Sequence, residues 1–368
     1  MNIGILCYPT YGGSGVIATE LGKALAEKGH IIHFISYNQP VRLDAFNENL
    51  FFHEVRFNNY PLFKYAPYET ALTSKIVDVA KTHNLDVLHV HYAIPHAAAA
   101  VMAKNILKRI GIKIKIVTTL HGTDITLVGK DKSFEPVVSH SLIESDIVTA
   151  VSNSLKLETY ENFSYDGDIQ VVPNFIDFQR FNKQPKEHFK KIIAPNNEKV
   201  IVHTSNFRKV KRVPDVLKVF RKITKEIPAK MLFIGDGPER ASIEKECISC
   251  NLCKDITFLG KQEAVEEILS IADLFIIPSE TESFGLAALE AMACEVPVIS
   301  TNAGGLKEVN IDGVTGFTSD VGDIGKMAKD SLYILKEENL NQFKALAKMQ
   351  SLKFKLDTIL PIYEKLYQ

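Results

Sequence analysis

The sequence predicts an α/β fold of two doubly wound domains, each a parallel sheet with helices on both faces. Three observations carry that expectation. Short, almost wholly apolar runs recur through the chain, and longer segments with helical spacing of their apolar residues separate them. The alternation is interrupted at a polar, lysine-rich span over residues 182–198 and then restarts. At 368 residues the chain is also long for one core and suits two domains.

Strands buried on both faces of a parallel sheet read as continuous apolar runs rather than alternating ones. On that basis the first half places strands at residues 3–7, 31–36, 87–90, 114–119, 147–150 and 170–172. The second half places them at residues 200–204, 231–235, 256–259, 274–277 and 296–300. An amphipathic helix is expected over residues 16–28, after the turn Tyr8-Pro9-Thr10-Tyr11-Gly12-Gly13-Ser14-Gly15. Helices are also expected over residues 239–250, over the helix-forming run 286–293 and over 352–367.

Apolar residues make up 46% of the chain and charged residues 24%, a globular balance. The net charge of -1 and pI near 6.8 provide no field to hold a nucleic acid, so anion recognition must be local. No run of 18 apolar residues occurs, and Met1-Asn2-Ile3-Gly4 leads directly into a strand, so no integral membrane segment and a cytoplasmic location are expected. Five cysteines are too few for a disulfide framework. Cys247, Cys250 and Cys253 have metal-site spacing but lack a fourth ligand, and the spacing of three is read as a buried helical stripe.

The most informative stretch is Glu282-Ser283-Phe284-Gly285-Leu286, with Glu290 eight residues after Glu282. It follows a strand and opens a helix, so backbone N–H groups from Ser283 to Leu286 are expected to cradle an anion. Carboxylates repel a diphosphate, which assigns Glu282 and Glu290 to the uncharged hydroxyls of a sugar and a ribose. The implied ligand is a nucleotide sugar. After the first strand the glycine spacing does not fit G-x-G-x-x-G, and no acidic residue ends the second strand, which disfavours NAD.

Together with Gly235-Asp236-Gly237-Pro238 and Gly304-Gly305-Leu306-Lys307-Glu308, this stretch resembles the retaining glycosyltransferases of family four. The resemblance implies a GT-B fold, two Rossmann-like domains facing across a cleft. Residues 1–172, joined by a returning C-terminal helix over 352–368, would bind the acceptor, and residues 173–351 the nucleotide sugar. His121, in Thr118-Thr119-Leu120-His121-Gly122-Thr123-Asp124, would touch the donor sugar. Gly13, Ser205, Gly235, Ser283, Phe284, Gly285, Leu286 and Glu290 form the expected donor set, and Gly12, Ser14, Tyr92, His96, Thr123 and Lys130 the expected acceptor set.

A departing diphosphate develops charge that cations can stabilise without a metal. Arg208 and Lys211 are assigned that role; family members mostly separate the pair by five residues, so Arg212 stands as the alternative to Lys211. Asp166-Gly167-Asp168 matches a metal-binding D-x-D string but precedes a strand and reads as a solvent turn. No metal and no cofactor are expected. Retention then favours front-face departure, with His121, Glu282, Arg208 and Lys211 catalytic and Glu282 not a covalent nucleophile.

Residues 7–15, 89–97 and 205–212 resemble one branch of that family more closely. That branch moves N-acetylglucosamine from UDP-N-acetylglucosamine to the hydroxyl of L-malate at the start of bacillithiol biosynthesis. The competing expectations are a different acceptor such as a lipid-linked glycan, a UDP-N-acetylglucosamine epimerase, and a nucleotide-binding regulatory module. A homo-oligomer is compatible with each.

Overall fold

The computed structural model describes residues 1–43, 46–57, 64, 66–127 and 131–368. Its contacts group the chain into two compact units, Met1–Phe175 with Leu356–Gln368, and Ile176–Lys355.

The first unit holds a seven-stranded sheet of β1 (Asn2–Leu6), β2 (Ile31–Ser36), β3 (Leu50–Glu54), β4 (Val87–His91), β5 (Lys115–Leu120), β6 (Ile147–Ala150) and β7 (Ile169–Val171). The order is β3-β2-β1-β4-β5-β6-β7, and every pairing is parallel. Strand order reverses between β1 and β4, which opens a crevice at their carboxyl ends. The second unit holds six parallel strands, β8 (Lys199–Thr204), β9 (Ala229–Ile234), β10 (Ile256–Gly260), β11 (Leu274–Ile277), β12 (Val298–Thr301) and β13 (Gly316–Ser319). Their order, β10-β9-β8-β11-β12-β13, puts the reversal between β8 and β11.

The doubly wound α/β architecture is the one expected, with two strands added. β3 and β13 are edge strands, only partly buried, and lack the continuous apolar run by which the others were recognised.

Helical faces are set by apolar spacing. The helix Val213–Ile223 buries Val213, Val216, Leu217, Phe220 and Ile223 in the second core, the three-and-four spacing of one face. Phe220 is fully buried there, so truncation to Ala costs about 3–5 kcal/mol. In the first unit the closing helix Leu356–Tyr367 buries Tyr363 and Tyr367, and the Tyr367 hydroxyl lies 2.7 Å from Nδ1 of His89 on β4. No helix of the described residues is long and apolar enough to cross a membrane.

Candidate active site

In the first unit the turns after β1, β4 and β5 gather most of the residues singled out there. The helix Gly13–Glu27 starts directly after the β1 turn, with Gly12 at its cap and no side chain capping it. Gly12 and Gly13 are exposed, which leaves the helix's first N–H groups open to an anion. Ser14 is buried, and its hydroxyl lies 2.8 Å from the Tyr92 hydroxyl, linking the β1 and β4 turns. Tyr92 holds a positive φ of 87°, an uncommon backbone for a bulky residue.

His121 follows β5, half-buried, with Nε2 at 2.7 Å from Nδ1 of His91, the last residue of β4. Burial lowers the His121 pKa to about 3, so the ring is neutral at ordinary pH. The loop carrying it is fixed by Asp124, whose carboxylate accepts from Gly122 N at 3.0 Å and Ala93 N at 2.9 Å. Burial raises the Asp124 pKa to about 6, against the opposing pull of those backbone donors. His91 and Asp124 were not among the expected site residues. They position His121 through partners distant in sequence, which motif spacing does not reveal.

His96 is fully buried: Nδ1 donates to the His91 carbonyl at 2.6 Å, and Nε2 lies 3.5 Å from the Tyr68 hydroxyl. It underlies the β4 turn, with its pKa pushed down to about 4 by burial. Thr123 is exposed, and Lys130 lies outside the described residues.

In the second unit the loops after β8, β9, β11 and β12 pack backbone against backbone. Gly235, at a φ of 114°, lets the β9 turn approach Ser205; a Cβ there would lie 1.9 Å from the Ser205 carbonyl oxygen. His203, buried in β8, fixes Ser205 from below. Its Nδ1 donates to the Ile276 carbonyl at 2.8 Å, so Nε2 accepts the Ser205 hydroxyl at 2.8 Å.

The Glu282 loop precedes the helix Leu286–Ala293, with Gly285 at its cap, a φ of 98° and no side-chain cap. Gly305 N donates to the Glu282 carbonyl at 2.8 Å, and Glu280 N donates to the Val210 carbonyl at 2.8 Å. The β8, β11 and β12 loops thereby form one framework. Phe284 is buried, its ring meeting Phe354 edge-on at 5.6 Å, and so supports the loop from inside. Leu286 is half-buried as the helix begins, and Ser283 and Glu290 are half-buried beside it.

Across that framework the Lys211 ammonium lies 2.6 Å from the Glu282 carboxylate. Arg212 instead turns to Asp215, donating from Nε at 2.6 Å. The structure therefore brings Lys211, not Arg212, to the Glu282 loop. Arg208 is exposed and, among the described residues, has no ion pair.

Asp166 and Asp168 are exposed in the turn before β7, at the amino end of the sheet and away from the loops described above. The expectation of a buried cysteine stripe holds only for Cys247. The helix Arg240–Ser249 ends before Cys250, Asn251 takes a φ of 61°, and Cys253 emerges exposed.

Residues 11–180 match glycosyltransferase family 4, and residues 184–349 match glycosyl transferases group 1. The chain is 48% identical to the N-acetyl-alpha-D-glucosaminyl L-malate synthase of Bacillus anthracis, over 100% of this chain and 96% of that protein. A 2-deoxystreptamine N-acetyl-D-glucosaminyltransferase of Niallia circulans is 24% identical, over 89% of this chain and 90% of that one. Among solved structures, Anabaena Alr3699/HepE in complex with UDP-glucose superposes with a TM-score of 0.84 at 20% identity, over 100% of this chain and 99% of that one, a likeness of fold.

Proposed function

The chain belongs to the N-acetyl-alpha-D-glucosaminyl L-malate synthase branch of the GT-B glycosyltransferases, and from that premise we propose that it moves N-acetylglucosamine from UDP-N-acetylglucosamine to the hydroxyl of L-malate. The alpha configuration is retained, and the product opens bacillithiol biosynthesis. The observation that carries this is the 48% identity to the Bacillus anthracis enzyme over the whole chain.

In this proposal residues 173–351 bind the donor and residues 1–172, with 352–368, the acceptor. Backbone N–H groups from Ser283 to Leu286 take the diphosphate, Glu290 the ribose and Glu282 a sugar hydroxyl, with Gly13, Ser205 and Gly235 completing the donor set. Gly12, Ser14, Tyr92, Thr123 and Lys130 hold malate, with His96 acting from beneath the β4 turn. Support comes from the open helix start at Gly12–Gly13 and from the uncapped helix behind Gly285.

The bond from C1 of the sugar to the diphosphate breaks while the malate oxygen bonds C1 from the same face. The hydroxyl proton passes to the leaving phosphate oxygen. Arg208 and Lys211 carry the charge that appears on the diphosphate, and His121 contacts the donor sugar. Glu282 is poorly suited to be a covalent nucleophile because Lys211 holds its carboxylate at 2.6 Å. The proposed setting is the cytoplasm.

The test is UDP release from UDP-N-acetylglucosamine by the purified protein, with and without L-malate, with the product's anomeric configuration read by NMR. Strong stimulation by malate and an alpha-linked product are expected. Succinate, which lacks the attacking hydroxyl, should not accept. Equal UDP release without malate, or a product formed only with a lipid acceptor, would overturn the acceptor assignment.

A further inference from the structure

Three histidines converge at a place none of the roles above uses. His33 lies on β2, His53 on the edge strand β3, and His83 ends the helix Tyr68–His83. Each offers a ring nitrogen, and these atoms all lie within 4.8 Å of one another. Nδ1 of His33 is 2.9 Å from Nε2 of His53, and the His83 ring centroid is 4.5 Å from that of His33. Asn2, the first residue of β1, donates to the His83 carbonyl at 2.8 Å, which puts His83 at the amino end of the sheet. His91 and His121 sit at the other end of the strands.

We propose that His33, His53 and His83 form a binding site for a late first-row divalent cation, with Zn²⁺ the best fit, separate from the glycosyl-transfer residues. Three neutral imidazoles suit zinc, nickel or copper and not magnesium or calcium, which take oxygen ligands. Metal–nitrogen bonds of about 2.0–2.1 Å place tetrahedral ligand atoms roughly 3.4 Å apart. The present spread brackets that value, so His53 and His83, both half-buried, need only small side-chain movements. Water would supply the fourth ligand of a tetrahedral site.

Stacking alone is the competing account, since Phe51 lies flat on His33 at 5.1 Å. With the His33–His53 stack at 5.1 Å and the 2.9 Å hydrogen bond between their ring nitrogens, such contacts account for two of the rings. They do not explain why three separate elements each deliver a ring nitrogen to one point. A bound cation would tie β3 and the helix end to β2 and so secure the edge of the sheet by mass action.

The test uses full-length, chelator-stripped protein titrated with Zn²⁺ against a chromophoric competing chelator, alongside a thermal melt. One equivalent of zinc per chain and a raised Tm are expected. His53→Ala and His83→Ala should weaken binding by about tenfold or more and abolish the Tm rise. Cys250→Ser with Cys253→Ser should leave both unchanged. Absence of zinc binding by the wild type, undiminished binding by the histidine variants, or loss of binding in the cysteine variant would each overturn the proposal. Both histidine variants alter half-exposed side chains, and a cooperative melt without zinc verifies that they fold.

Discussion

His91 and His121 share one hydrogen bond, with Nδ1 of the first 2.7 Å from Nε2 of the second, and its direction decides what His121 can offer a substrate. The other ring nitrogen of His91, Nε2, is buried and unpartnered among the described residues. An orphaned buried N–H is rarer than an underused acceptor. His91 therefore carries its proton on Nδ1 and donates to His121, which leaves Nδ1–H as the remaining donor of His121. His91→Phe should lower kcat by roughly 10–100-fold with a smaller effect on KM, the scale of one lost positioning hydrogen bond. His91→Asn, which can restore a donor near the Nδ1 position, should recover part of the loss. A wild-type kcat in the Phe variant would show that His121 needs no such support.

The Lys211–Glu282 ion pair makes the two residues interdependent. In the proposed mechanism an arriving diphosphate would share the ammonium with the carboxylate. Lys211→Met removes charge from the leaving group and also strands Glu282, so it should cost about 2–4 kcal/mol in kcat/KM. The double variant Lys211→Met with Glu282→Gln should lose less than the sum of the two single losses, because the stranded carboxylate is gone. Strict additivity would mean the pair is unconnected during turnover.

Arg208 is exposed and unpaired among the described residues, so its removal separates chemistry from folding. Arg208→Ala should lose about 2–4 kcal/mol of transition-state stabilisation while stability changes by no more than about 0.5 kcal/mol. If Arg208 and Lys211 act as proposed, the wild-type reaction should proceed in excess EDTA, since two cations would then stand where a metal otherwise would. Inactivation by EDTA that Mg²⁺ or Mn²⁺ reverses would overturn that assignment.

The frame of the fold was legible because strands such as β11 are buried along their whole length and apolar throughout. β3 escaped because Phe51 is exposed and its other residues are half-buried, and β13 because a glycine, a threonine and a serine carry it. In the site, the Glu282 loop was readable because its chemistry lies in contiguous residues. The links that hold it were not. His91 meets His121 across 30 positions and Lys211 meets Glu282 across 71, pairings set by strand order rather than by local spacing. The same applies to the histidine trio, whose members are separated by turns and a helix.

Several buried histidines make the native state sensitive to acid. Burial lowers the pKa of His203 and His96 from 6.5 to about 4, and that of His89 to about 3. Below pH 6.5 the unfolded chain binds protons on these rings while the native chain does not, so stability falls as pH drops from 6.5 through the native values. For His203 alone the full loss is about 3 kcal/mol. Asp124 opposes this, because its native pKa of about 6 lies above the ordinary value of 3.8 and acid relieves its burial. One carboxyl is outweighed by three rings. Denaturant unfolding at pH 7.5 and pH 5 should show a marked loss at pH 5, and His203→Asn, though less stable at pH 7.5, should show a smaller difference. Equal stability at both pH values would refute the shifts.

Gly304 gives a steric test of the Glu282 loop. It adopts a φ of 53°, and a Cβ added there would fall 2.1 Å from the Glu282 carbonyl oxygen and 3.1 Å from its carbon. Both obstacles are backbone, so Gly304→Ala must displace the loop that carries Glu282 and Ser283. Gly313 provides the comparison, with a φ of 70° and no atom within 4 Å of an added Cβ. Gly313→Ala should cost only the left-handed backbone penalty of about 1–2 kcal/mol and leave the kinetics unchanged. Gly304→Ala adds loop displacement to the same penalty, so its KM for the donor should rise and its kcat fall even where the protein remains folded by circular dichroism. Normal donor kinetics in a folded Gly304→Ala protein would show that the close approach of the β11 and β12 loops does not shape the donor site.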